Sequence, residues 1–179
     1  MKILNLIFAF SLSTLIGCAA TSGMAPTVER SGFDGAQIVK ISLHSNDCNP
    51  LFAQRCSSFA AQWNSSKPDQ ALLIIQVTGE ILSISSVEFN IDKKITKLNN
   101  SNVTDFNVDY NVGISSSKAA FVVPLSFIEQ ISSADFAWVR INSNTSYFEN
   151  RIAEGKEQGW AYHAFKRFLA KIKTVQTTK

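Results

Sequence analysis

The chain has 179 residues, 45% of them hydrophobic, with 17 Lys and Arg against 14 Asp and Glu and a formal charge of +3. That length supports one domain and excludes a second core of comparable size. The charge is uneven: residues 156–179 carry Lys156, Lys166, Arg167, Lys171, Lys173 and Lys179 against Glu157 alone, so the tail is +5.

Met1 and Lys2 form a cationic start, followed by an apolar run from Ile3 to Ile16 that is too short to span a bilayer as a permanent helix. Leu15, Ile16, Gly17 and Cys18 then fit a lipobox. Within about its first twenty residues the sequence resembles bacterial lipoproteins. The resemblance implies a signal peptide over 1–17 and lipid on Cys18 as the first mature residue. Ala19, rather than Asp, in the next position implies sorting to the outer membrane, facing the periplasm. The mature chain is then +2, and residues 18–155 carry −3.

Residues 18–35 are small and polar and read as a lipidated N-terminus and flexible tether, with a single globular domain over 36–179. About thirteen flexible residues give a reach of roughly 20 Å. With Cys18 taken by lipid, Cys48 and Cys56 are a disulfide candidate, because the periplasm is oxidising. Closing a loop of about nine residues is worth roughly 2.5 kcal/mol by the chain-entropy estimate. No signature of a cysteine hydrolase surrounds either thiol.

Ile38, Val39, Ile41 and Leu43 predict a first strand. Asn49 and Pro50 then read as cap and first residue of a helix running to about Trp63, since Phe52, Cys56, Phe59, Ala60 and Trp63 share one face at helical spacing. One straight helix would hold Cys48 and Cys56 about 12 Å apart, so the disulfide requires the chain to fold back before Pro50 or the helix to start later. Leu72 to Val77 predict a central strand covered on both faces. A strand from Ile81 to Asp92 and another at Ile95–Leu98 form a hairpin around Asp92, Lys93 and Lys94, with 99–102 as loop.

Phe106, Val108 and Tyr110 alternate with Asp105, Asn107 and Asp109, the pattern of a half-exposed strand. Asp105 and Asp109 are spread along that strand without an EF-hand pattern, so they are not nominated as a cation site. After a loop at Ser115–Ser117, Ala119–Val123 form a strand, and Pro124 opens a short helix carrying Leu125, Ile128 and Ile131. Phe136, Trp138, Arg140 and Asn142 alternate against Ala137, Val139 and Ile141, and Asn142–Thr145 turn the chain into a strand over 147–152. Last, Ala161, Ala164, Phe165, Phe168, Leu169 and Ile172 draw the apolar stripe of a helix laid on a sheet. Lys166, Arg167, Lys171 and Lys173 fall mainly off that stripe and are candidates for contact with an anionic surface.

These elements predict an α+β domain: an antiparallel β-sheet, curled or sandwich-like, with an N-terminal and a C-terminal amphipathic helix packed on it. Residues 119–172 resemble in plan the last part of exported β-domain proteins of the invasion-associated locus B type, a likeness that carries no site residue across.

The two histidines, His44 and His163, lack metal-ligand spacing, and there is no Gly-x-Ser-x-Gly, P-loop or Gly-x-Gly-x-x-Gly. No catalytic residue, metal ligand or cofactor is therefore nominated. Trp63, Trp138 and Trp160, with the phenylalanines, could line a ligand groove, but aromatics at core periodicity read first as core; Trp160 is the exception, one residue outside the helical stripe. The expected role is a non-catalytic envelope module that meets the membrane through Cys18 and binds an envelope protein, glycan or lipid, not nucleic acid. The alternatives are an envelope hydrolase joining His44 or His163 to carboxylates or a thiol, and a purely structural surface lipoprotein.

Overall fold

Period-two alternation runs through most of the chain and produces antiparallel strands wherever its apolar half can be buried. The computed structural model describes residues 24–46, 55–101, 104–109 and 114–178. The lipobox, Cys48 and the Asn49–Pro50 helix start lie outside the described residues.

Eleven strands and two helices occur among the described residues, in the order β1 (Thr27–Arg30), β2 (Gln37–Ser45), β3 (Cys56–Asn64), β4 (Gln70–Thr78), β5 (Ile84–Ile91), β6 (Lys94–Asn99), β7 (Asp105–Asp109), β8 (Ile114–Pro124), α1 (Leu125–Ser133), β9 (Phe136–Ser143), β10 (Tyr147–Glu154), β11 (Glu157–Gln158) and α2 (Trp160–Thr177). They form a six-stranded sheet, ordered β1-β2-β3-β4-β8-β7, and a five-stranded sheet, ordered β11-β10-β9-β5-β6. Every strand pair is antiparallel. The α+β class with an antiparallel sheet therefore holds.

One core joins both sheets and both helices. A chain of rings runs through it: Phe59 of β3 lies 6.3 Å from Phe89 of β5 and 6.2 Å from Phe165 of α2, and Phe89 meets Phe127 of α1 edge-on at 5.2 Å. All six residues of the C-terminal stripe are buried. The Pro124 helix forms as expected, with Ile128 and Ile131 buried; Leu125 is only half-buried, Phe127 turns inward as well, and Pro124 makes no side-chain cap hydrogen bond.

The expected N-terminal helix is not formed over its described part. Residues 56–64 are β3, paired on one side with β2 and on the other with β4. Phe59 and Trp63 are four apart, a spacing that helix and strand share, and Ala61 between them is small enough to sit on either pattern. Ser57, Phe59, Ala61 and Trp63 all face the core, so the period is two, and pairing on both edges overrides the local helical signal. The helix that does pack in mid-chain is α1.

Four smaller corrections follow from sheet position. Thr27–Arg30, expected in the tether, is the edge strand β1, with Lys40 Nζ and Glu29 Oε2 2.6 Å apart across the pair. β4 is central but not covered on both faces, since Ala71, Leu73, Ile75 and Val77 are buried while Leu72 and Ile74 on the other face are half-buried. Ser115–Ser117, expected as loop, belong to β8, where Ser117 is buried and its Oγ accepts the Leu82 amide at 2.8 Å. β7 is an edge strand that meets solvent on both faces rather than on one, with Phe106 exposed.

Candidate ligand-binding cleft

β9 is the central strand of the five-stranded sheet and β5 an inner neighbour, and each sends alternate residues to the core: Val87, Phe89 and Ile91 from β5, and Ala137, Val139 and Ile141 from β9. The other alternates must then stand together on the opposite, open face. Register arranges them in rows. Lys97, Glu88, Arg140 and Glu149 are successive cross-strand partners from β6 through β10, and Ile95, Asn90, Trp138 and Arg151 form the next row.

The first row alternates in charge and is held by Arg140. Its Nη2 lies 2.6 Å and its Nε 2.7 Å from Oε1 of Glu149, and its Nη1 lies 3.5 Å from Oε2 of Glu88, whose Oε1 is 3.7 Å from Lys97 Nζ. The hydrogen bond to Glu149 and then the negative charge of both carboxylates raise the Arg140 pKa above its ordinary value. The guanidinium also sits 4.9 Å above the Tyr147 ring. Exposed ion pairs of this kind contribute about 0–1 kcal/mol to folding, so the row serves to fix side-chain positions more than to stabilise.

Beside it, Phe136 and Trp138 stack near-parallel, with ring centroids 6.2 Å apart and planes 22° apart, forming an aromatic platform. Glu88, Asn90, Ile95, Phe136, Trp138, Val139, Arg140 and Glu149 line a cleft of about 270 Å³. Two of its polar atoms, Asn90 Oδ1 and Trp138 Nε1, are buried without a hydrogen-bond partner. Each such group costs roughly 1–3 kcal/mol of desolvation. Asn90 and Trp138 are direct cross-strand partners, so an unpaired acceptor and an unpaired donor are neighbours under one cleft.

The residues nominated from sequence are distributed otherwise. Lys166 is exposed, with Nζ 4.4 Å above the Tyr162 ring, and Lys173 is exposed, while Lys171 is half-buried. Arg167 departs from the expected water-facing side: it is half-buried, and its Nη2 lies 3.1 Å from His44 Nε2. The four cations therefore do not make one exposed patch. His44 is buried, and His163 is half-buried against Tyr162, ring to ring at 5.6 Å. Cys56 is half-buried and disulfide-bonded, while Cys18 and Cys48 lie outside the described residues, so the pairing with Cys48 stands as a proposal. Among the described residues no three His, Cys, Asp or Glu come together to hold a metal, and no helix is long and apolar enough to cross a membrane.

Of the three tryptophans only Trp63 is core, its Nε1 donating to the Pro68 carbonyl at 2.9 Å; Trp160 is exposed at the start of α2. The sequence does not single out the cleft, because aromatic residues such as Trp138 read first as core. Its signal was present: Phe136 and Trp138 share their strand face with Arg140 and Asn142, and two aromatics on the polar side of a strand are out of place in a core. Protein-family models, curated proteins and solved structures give no match to this chain.

Proposed function

We propose that the protein is a non-catalytic binding module of the bacterial envelope, tethered to the outer membrane by lipid on Cys18, and that it holds its partner in the cleft around Trp138. The observation that carries this reading is the aromatic platform with an unpaired donor and an unpaired acceptor beneath it, on a sheet face built from rigid strands. Strand positions hold a binding constellation more firmly than loops do. Binding is favoured over hydrolysis because both carboxylates of the cleft are tied to Arg140, which leaves them as fixed hydrogen-bond acceptors. The second reading, a contact between α2 and an anionic surface, loses Arg167 to His44 and is not pursued.

The test uses the full chain in its native membranes. Crosslinking is expected to trap an envelope component with the parent and not with Trp138→Ala, given equal amounts of both proteins and equal far-UV circular dichroism. An unchanged crosslinking pattern in Trp138→Ala overturns the cleft as the binding site. Intact mass tests the anchor: the parent is expected to carry lipid at an N-terminal cysteine, and Cys18→Ser is expected to accumulate as unprocessed precursor. A parent without lipid overturns the tether.

A further inference from the structure

We propose that the cleft recognises an uncharged N-acetylated amino sugar within a glycan, an assignment that rests on the binding-module reading above. Three features of the cleft select this ligand class together. The Phe136 and Trp138 rings stack with their planes 22° from parallel and both are half-buried, so the stack leaves aromatic surface in the cleft against which the C–H face of a pyranose ring packs. Beside the platform, Lys97, Glu88, Arg140 and Glu149 alternate in sign and sum to no net charge. Such a row gives no advantage to an anion or a cation, yet its carboxylates accept from hydroxyl groups and its guanidinium donates to them.

The third feature specifies the substituent. Asn90 Oδ1 accepts and Trp138 Nε1 donates, both lack partners, and the two residues face each other across β5 and β9. A secondary amide carries the complement: its N–H pairs with Asn90 and its carbonyl oxygen with Trp138. An acetamido group on a sugar ring places such an amide next to a C–H face and hydroxyls, and so meets platform, row and orphan pair at once. A peptide also has amides, but it adds to a sheet by pairing with an edge strand, and the backbones of β5 and β9 are already paired on both sides. Ile95, exposed on the edge strand β6 and directly opposite Asn90, lines the same cleft.

The probes are tetra-N-acetylchitotetraose, cellotetraose as the same kind of neutral chain without acetamido groups, and tetra-alanine, each titrated by calorimetry into the purified full chain. The N-acetylated sugar is expected to saturate, and cellotetraose to bind about tenfold or more weakly. Asn90→Ala is expected to weaken the N-acetylated sugar about tenfold. Trp138→Phe keeps a ring and removes the donor, so it is expected to retain weak sugar binding while the preference for the acetamido sugar collapses toward one. Folding of each variant is checked by its thermal transition. No saturable binding of the N-acetylated sugar up to about 10 mM, or an unchanged preference in Trp138→Phe, overturns the proposal. If Trp138-dependent crosslinking in membranes persists while that sugar fails, or if tetra-alanine binds instead, the sugar assignment falls and the binding module stands. Loss of both removes the module as well.

Discussion

Nη2 of Arg167 in α2 lies 3.1 Å from Nε2 of His44 in β2, tying the last helix to a strand 123 residues earlier. A bulge between Ile41 and His44 makes this possible: it shifts the inward alternation of β2 from Val39 and Ile41 to His44. Nδ1 of His44 lies 2.7 Å from the Ser42 carbonyl, which can only accept, so the ring hydrogen is on Nδ1 and Nε2 accepts from the guanidinium. Arg167→Ala leaves that buried nitrogen without its donor and is expected to cost about 1–3 kcal/mol in urea unfolding. Lys173→Ala, on exposed surface of the same helix, is expected to stay within about 0.5 kcal/mol. Equal effects of the two changes would show that Arg167 is only a surface cation.

Phe165 closes the core from the helix side. It is fully buried and meets Phe59 at 71°, edge to face. Phe165→Ala is expected to cost about 3–5 kcal/mol, and a double-mutant cycle with Phe59→Ala is expected to give a coupling of about 0.5–1.5 kcal/mol. A cost below about 1 kcal/mol would mean that α2 is not held on the core through this ring.

The β5–β6 turn contains a correctable strain. Asp92 and Lys93 both have positive φ, 47° and 72°, as a two-residue turn of the primed type demands. Asp92 is fixed by function in the turn, because its Oδ1 accepts the Phe136 amide at 2.9 Å and its own amide donates to the Phe136 carbonyl at 2.8 Å. Lys93→Gly relieves the left-handed cost at some loss of unfolded-state restriction, with an expected gain of about 0.5–1 kcal/mol in thermal unfolding. Asp92→Gly, although it also suits the positive φ, is expected to destabilise.

Acid stability offers a check on the first loop. The Ser31 hydroxyl, followed by the Ala36 amide, holds the exposed Asp34 carboxyl below its ordinary value of 3.8. A carboxyl depressed in the folded state stabilises above its unfolded pKa and loses that contribution as pH falls through the folded value. The stability difference between the parent and Asp34→Ala is therefore expected to be constant near neutrality and to shrink below about pH 3.8. A difference that does not vary with pH would remove the charge from the account.

What the sequence made legible follows from how local each signal is. The stripe from Ala161 to Ile172 and the alternation from Phe136 to Asn142 are decided within one element, and both hold. β3 reads as helix from sequence because Phe59 and Trp63 fit two periods, and only pairing with β2 and β4 selects between them. The cleft required knowing that β5 and β9 are neighbours in register, so that Asn90 meets Trp138 and Glu88 meets Arg140. Each residue's face was readable beforehand; the juxtaposition was not, because residues 91 and 137 are joined by a pairing that skips three strands and a helix. The inward turn of Arg167 depends likewise on a bulge in β2 that no alternation in the sequence announces.

The proposed Cys48–Cys56 disulfide can be tested at the start of β3. Cys56 is disulfide-bonded, and its neighbour Ser57 is buried, with Oγ accepting from Asn46 Nδ2 at 3.2 Å and from Asn150 Nδ2 at 2.9 Å. Covalent and hydrogen-bonded ties therefore meet at one strand end, where β3 is joined to the end of β2 and to β10. Pairing with Cys48 closes a loop of about nine residues, for an expected contribution near 2.5 kcal/mol. Replacing both cysteines by Ser is thus expected to lower unfolding stability by about 2–3 kcal/mol, with the hydrogen bonds to Ser57 left in place. Thiol titration of the natively exported, denatured and unreduced protein separates the possible partners. With Cys18 blocked by lipid and Cys48 joined to Cys56, the parent shows no thiol, and Cys48→Ser exposes one, that of Cys56. If Cys18→Ser instead frees the Cys56 thiol, the bond runs to Cys18, and both the pairing and the lipid anchor are wrong together.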